Sequence, residues 1–210
     1  MDDPLRLISE AFDARAARYD ESAMHRSVAA ATAGFVDLSE VNVVLDVATG
    51  TGLVLREIAA LATGLHLIGV DISPGMLDVA RSHLPRAEWI EAEASSIPIP
   101  AASVDVITCV TALHIIPSVA DAASEWRRVL RPGGRLVTAT FRKIDPSGHG
   151  APEVTTADRP YDRDHEPYSS ATRIAETFGR YGFTLRRHRD WTDGTDEVLI
   201  AELVMDAAAT

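Results

Sequence analysis

Two carboxylates stand where apolar runs stop. Asp46 lies within Val43-Val44-Leu45-Asp46-Val47, and Asp71 closes His66-Leu67-Ile68-Gly69-Val70-Asp71. After the first run comes Ala48-Thr49-Gly50-Thr51-Gly52, a loop of small residues whose glycines let the backbone take conformations closed to other residues and let a ligand approach the main chain. Leu53, Leu55, Ile58, Ala59 and Leu61 then repeat at helical spacing, so the loop feeds a helix whose first backbone N–H groups are free to bind. Asp71 falls about 20 residues beyond Gly52, a spacing that suits a carboxylate gripping ribose hydroxyls at the end of the neighbouring strand. The chemistry these residues offer is recognition of a nucleotide-sized ligand.

Two departures from the dinucleotide fingerprint narrow that ligand. No third glycine follows Gly52, where Leu53, Val54 and Leu55 stand instead. Asp46 also puts negative charge beside the loop, which repels a pyrophosphate and attracts a ligand carrying an amino acid's ammonium group. In this segment the chain resembles the class I S-adenosylmethionine-dependent methyltransferases, whose first motif runs acid-x-Gly-x-Gly-x-Gly and appears here as Asp46 to Gly52 with Ala48 in place of the first glycine.

Further motifs follow in the family's order. Glu91-Ala92-Glu93-Ala94, then Ile97-Pro98-Ile99-Pro100 and Ser103-Val104-Asp105-Val106-Ile107, resemble its third- and fourth-strand block. Arg131-Pro132-Gly133-Gly134-Arg135-Leu136 resembles its turn into strand five. Phe12-Asp13 and Tyr19-Asp20 resemble the cofactor-covering helix of the branch that contains ubiquinone and menaquinone biosynthesis enzymes, and Thr49-Gly50-Thr51-Gly52 fits that branch too. Glu21-Ser22-Ala23-Met24-His25-Arg26 lacks the quinone-type asparagine and glycine pattern, so a quinone acceptor is not assigned.

The resemblance implies S-adenosylmethionine as cofactor, with S-adenosylhomocysteine as product. Asp46, Ala48, Thr49, Gly50 and Gly52 would hold its methionine portion and Asp71 its ribose. Glu93 would accept from the adenine amino group, the Ala94 N–H would meet a ring nitrogen, and Ile72 would flank the ring. Tyr19, Met76 and Val110 complete the expected cofactor set.

Around these motifs, residues 5 to 37 look helical. From Val43 onward, strand-like runs alternate with helical segments: 43–47, 66–70, 87–91, 104–110 and 135–141 as strands, with helices after Gly52, from Pro74 to Ser82 and from Ser118 to Leu130. Ser73 before Pro74 reads as a helix cap. This alternation predicts a parallel sheet covered by helices on both faces. Residues 142 to 168 are polar and hold four prolines without a sustained period, which reads as a functional excursion. A helix at 169–181 and strands at 182–188 and 197–205 close the chain. The expected fold is α/β: a Rossmann-like doubly wound sheet of seven mostly parallel strands with the last reversed, as the resemblance implies, plus N-terminal helices. It forms one domain over 1–210, divided into a helical cover (1–38), a cofactor-binding core (39–141), the excursion (142–168) and a C-terminal helix with a strand pair (169–210).

Composition sets outer limits. With 210 residues of which 46% are hydrophobic, the chain suits one buried domain, and no apolar run approaches the roughly 18 residues that cross a bilayer. The acidic start Met1-Asp2-Asp3-Pro4 lacks a signal core, so the expected location is the cytoplasm. A formal charge of −11 disfavours nucleic acid and anionic membranes, which leaves a small-molecule acceptor and a monomer or homodimer as expectations. Cys109 is a small buried hydrophobe, and no histidine spacing predicts a metal site.

The expected reaction is methyl transfer to an oxygen, nitrogen or carbon of a small molecule by in-line displacement. His114, at the C-terminal side of strand four, is the candidate base, and His149, Tyr161, His165 and Tyr168 are candidate acceptor-site residues. A nicotinamide-dependent oxidoreductase and a non-catalytic S-adenosylmethionine-binding protein are the alternatives.

Overall fold

The computed structural model describes residues 4–143 and 161–206. One seven-stranded sheet runs through them, with strands β1 (Val43–Val47), β2 (His66–Asp71), β3 (Glu88–Glu91), β4 (Val104–Val110), β5 (Leu130–Lys143), β6 (Phe183–Thr192) and β7 (Glu197–Met205). The spatial order is β3-β2-β1-β4-β5-β7-β6. Neighbouring strands from β3 to β5 pair in parallel, whereas β7 runs antiparallel to both β5 and β6. The expected sheet with a reversed last strand is the one found.

Among the described residues six α-helices accompany the sheet: α1 (Pro4–Asp13), α2 (Ala23–Ala33), α3 (Leu53–Leu61), α4 (Pro74–His83), α5 (Val119–Val129) and α6 (Ala171–Gly179). Residues Val44 to Val47 of β1 are all buried, because a central parallel strand is covered on both faces. Their side chains alternate between two cores. Leu45 and Val47 pack with Trp126 of α5 and Ile174 and Phe178 of α6, while Val44 packs with Val28 of α2 and Leu55 and Ile58 of α3.

Serine caps set the helix starts that matter for the site. Ser73 Oγ accepts from the Met76 N–H with Pro74 in the first turn, and Ser118 Oγ accepts from the Asp121 N–H. Helix α3 begins differently, at Gly52 with φ +77°.

Three boundaries differ from the sequence reading. The helical stretch 5–37 breaks into α1, a 3-10 turn at Ala16–Glu21 and α2, with Ser22 capping α2 through the His25 N–H. Strand β5 starts at Leu130, opposite Val104, and the Arg131-Pro132-Gly133-Gly134 segment is looped out before pairing resumes at Arg135 opposite Val106. Gly133, at φ +76°, makes that loop possible. Strand β6 continues to Thr192 because each added residue finds a partner on β7. The end of the polar excursion also returns to the core: a 3-10 turn at Glu166–Tyr168 carries Tyr168, which is buried. No helix among the described residues is long and apolar enough to cross a membrane.

Candidate active site

The C-terminal ends of β1, β2 and β4 converge under α1 and the 3-10 turn, where they enclose a cavity of about 300 Å³. Open α/β sheets bind ligands at this end, where strand order reverses on either side of β1. Of the expected cofactor residues, Tyr19, Asp46, Ala48, Thr49, Gly50, Asp71, Ile72, Glu93, Ala94 and Val110 line it.

Asp46 lies at its floor with 1% of its surface exposed. One carboxylate oxygen accepts from Thr108 Oγ1 and the other from Thr49 Oγ1, each at 2.6 Å. Burial raises its pKa to about 6 against the pull of those two hydroxyls. Asp71, one strand over, accepts from the Gly50 N–H at 2.8 Å and the Ser73 N–H at 2.9 Å. Burial raises its pKa as well. Asp71 therefore fixes the loop between β1 and α3, and Asp46 fixes its neighbour Thr49.

Two of the four non-glycine residues with positive φ among the described residues line this cavity. Ala48 has φ +54° and Thr111, just past β4, has φ +53°. The left-handed region is costly for alanine and rare for a β-branched residue. Ala48 thus occupies a place that glycine would fill without strain, which accounts for a glycine at this motif position in the family it resembles. Thr111 lines the cavity and hydrogen-bonds the side chain of Tyr19, whose pKa is raised by burial.

The N-terminal cover is pinned to this floor. Asp13 accepts from Ser73 Oγ at 2.6 Å and from the Gly75 N–H at 2.8 Å, which ties the end of α1 to the start of α4. Ser9 Oγ donates to the Ile72 carbonyl at 2.9 Å. Asp20 takes hydrogen bonds from Thr51 Oγ1 and Arg56, which ties the 3-10 turn to the glycine loop. Tyr19 stacks on His25 of α2 with ring centroids 4.6 Å apart.

Several expected site residues lie elsewhere. Gly52 does not line the cavity; a Cβ there would meet the Trp89 ring at 2.6 Å, so this position is small for packing. Met76 is fully buried and also off the wall. His114 is not on the wall either: it stacks on His165 at 4.2 Å and packs edge-on to Phe141. Burial, followed by the charges of His165, Arg163 and Arg15, lowers its pKa to about 3, which makes it a weak base. Tyr168 belongs to the core, its carbonyl accepting from Thr140 Oγ1 at 3.1 Å. Tyr161 stacks on Phe12 behind the wall, and His149 lies outside the described residues.

Sequence reasoning missed an apolar wall made by Leu5, Ile8 and Phe12 of α1 and by Ile115, Ile116 and Pro117 after β4, with Thr111, His25 and Asp121 adding polar groups. The only available signal was position, since residues just past β4 belong to the ligand-binding end of the sheet. Among the described residues, no group of three or more His, Cys, Asp or Glu is placed to hold a metal ion.

Residues 45–138 match the methyltransferase domain family. The chain is 32% identical over 150 residues to the ubiquinone/menaquinone biosynthesis C-methyltransferase UbiE of Ectopseudomonas mendocina, covering 65% of this chain and 58% of that protein. It is 37% identical over 101 residues to the demethylmenaquinone methyltransferase of Clavibacter sepedonicus, covering 47% of this chain and 40% of that one. The chain therefore spans less than two thirds of the length of either relative. The solved structure of Burkholderia thailandensis 1,6-didemethyltoxoflavin-N1-methyltransferase, with bound 1,6-didemethyltoxoflavin and S-adenosylhomocysteine, shares the fold with a TM-score of 0.71 at 18% identity, covering 98% of this chain and 92% of that one. The match to the methyltransferase domain family takes in 94 of the 210 residues and falls on strands and loops that build the cavity.

Proposed function

We propose that this chain transfers the methyl group of S-adenosylmethionine to an oxygen, nitrogen or carbon of a small molecule. The observation that carries the proposal is the pair of carboxylates, buried Asp46 and half-buried Asp71, at adjacent strand ends on the cavity floor. They favour a ligand with a sulfonium and an ammonium and disfavour the pyrophosphate of a nicotinamide dinucleotide. The cavity residues fit the cofactor in kind: Asp71 for ribose hydroxyls, Glu93 and Ala94 for adenine, and the Asp46 to Gly50 loop for the amino acid portion.

When bound, the cofactor supplies an electrophilic methyl group on sulfur. The protein's part is alignment and exclusion of water. Phe12, Ile115, Ile116 and Pro117 present apolar surface to the acceptor, and Tyr19 closes over the floor with Thr111 fixing its side chain. A proton on the acceptor would leave through His25 or Asp121, the titratable wall residues that have no proposed cofactor role, rather than through His114. The quinone acceptors named for the relatives are not carried over, because the segment 21–26 lacks that pattern.

Incubating the protein with cell extract and methyl-labelled S-adenosylmethionine tests this reading by mass spectrometry. The expected result is label in a low-molecular-weight product that is lost in Asp71→Ala. Label confined to RNA or protein, or no transfer from any extract, would contradict it.

A further inference from the structure

Two arginines beside the cavity lack the partners that the other half-buried arginines have. Arg56, Arg131 and Arg135 each meet a carboxylate, and Arg127 donates to the carbonyls of Tyr181 and Gly182. Arg15 and Arg163 are equally half-buried, yet each donates only to the Tyr161 hydroxyl, at 3.4 and 3.1 Å. The Nε atom of each is buried without a hydrogen-bond partner, as is that of Arg56, whose charge is nevertheless met by Asp20. Among the described residues no carboxylate lies within ion-pair distance of either guanidinium, although the chain as a whole carries a charge of −11.

Uncompensated guanidinium charge and orphaned buried donors are both unfavourable, and a planar oxyanion would relieve them together. Neither guanidinium is on the cavity wall, but Arg15 packs on two rings that are. Arg15 lies 3.8 Å above the Phe12 ring and 5.9 Å from the Tyr19 ring, and both rings line the cavity. Tyr161 stacks behind Phe12 with centroids 6.2 Å apart and aims its hydroxyl at both guanidinium groups. Arg163, held over the Tyr161 ring at 5.4 Å, completes a pair of cations behind the Phe12 end of the apolar wall.

Resting on the methyltransferase reading, we propose that the methyl acceptor carries an oxyanion, a carboxylate or a phosphate, that reaches past the Phe12–Tyr19 end of the cavity to be clamped between Arg15 and Arg163. Planar guanidinium groups suit bidentate capture of either anion, and Arg–oxyanion pairs add orientation as well as affinity. The clamp would hold the acceptor's charged end away from the floor, so that its apolar body lies along Ile115, Ile116 and Pro117 toward the methyl group.

The test uses the full chain and the side-chain Nε–H resonances of Arg15 and Arg163, assigned by their loss in Arg15→Gln and Arg163→Gln. Benzoate, benzamide and phenyl phosphate are titrated separately, with and without saturating S-adenosylhomocysteine. We expect both resonances to shift saturably with an oxyanion, with an affinity about tenfold or more above that for benzamide, and each Gln variant to lose most of that preference. The stronger of the benzoate and phosphate arms names the anion. Equal responses to benzoate, phenyl phosphate and benzamide, or no shift with any of them, would overturn the clamp and mean that the charge is met from within the chain. Binding of S-adenosylhomocysteine is measured in the same samples. Its failure would count against the methyltransferase reading alone, because the anion arms run without it as well.

Discussion

Asp46 and Asp71 are adjacent acids with different duties, and each duty has its own signature. Asp71 holds backbone N–H groups on both sides of the cavity floor, so Asp71→Ala removes a charged acceptor from the loop and from the ribose it is proposed to bind. Affinity for S-adenosylhomocysteine by calorimetry is expected to fall by about 1.5–3 kcal/mol, and an unchanged affinity would remove the ribose role. Burial holds the pKa of Asp46 up at about 6, so its charge is disfavoured in the fold. The cost is absent below about pH 4, appears as the unfolded chain ionises, and is complete above about pH 6. Asp46→Asn should therefore gain stability relative to the parent as pH rises, by about 3 kcal/mol between pH 4 and pH 8 in urea unfolding of the free protein. Parallel pH curves for the two proteins would show that Asp46 is not buried as a costly charge. Ala48 offers a third check. Its left-handed backbone costs about 1–2 kcal/mol, of which Ala48→Gly returns part after the added entropy of the unfolded chain, so a gain of about 0.5 kcal/mol is expected in the same unfolding assay.

At the scale of elements, the cover over the cavity is an assembly held by side chains to the sheet's loops. Helix α1 is joined to α4 chiefly through Asp13, and Gly75 admits it because a Cβ there would come within 2.8 Å of the Asp13 carboxylate. Asp13→Ala removes an acceptor at the start of α4, for an expected loss of about 1 kcal/mol. It also frees α1, so limited proteolysis within residues 4–13 should accelerate more than cleavage elsewhere; equal acceleration throughout would point to global destabilisation instead. This pin explains what could be read of these elements. Strands β1, β2 and β4 were legible because burial on both faces leaves long apolar runs. The division of 5–37 into two helices and a 3-10 turn was not, since Asp13 and Asp20 act through partners 60 and 31 residues away. The looped-out Arg131–Gly134 segment was recognised as a turn, while its strand-like flank at Leu130 depends on pairing that only the sheet reveals.

Across the whole molecule, the floor of the site was legible and its roof was not. A motif of fixed spacing announces Asp46, Gly50 and Asp71, because loop, helix start and neighbouring strand are local and ordered. The acceptor wall draws on α1, α2 and the segment after β4, brought together by tertiary packing that leaves no periodic trace. His114 shows the hazard, for a residue on the correct loop turned inward to stack on His165. The fold by itself does not name the reaction. What specifies the ligand is the charge and chemistry of the floor. Calorimetric titration of the purified full chain with S-adenosylhomocysteine and, separately, with the nicotinamide dinucleotides tests that claim most directly. Saturable one-site binding of S-adenosylhomocysteine, weakened by Asp71→Ala, with no binding of the dinucleotides is the predicted result. Dinucleotide binding without S-adenosylhomocysteine binding would contradict the account at its centre.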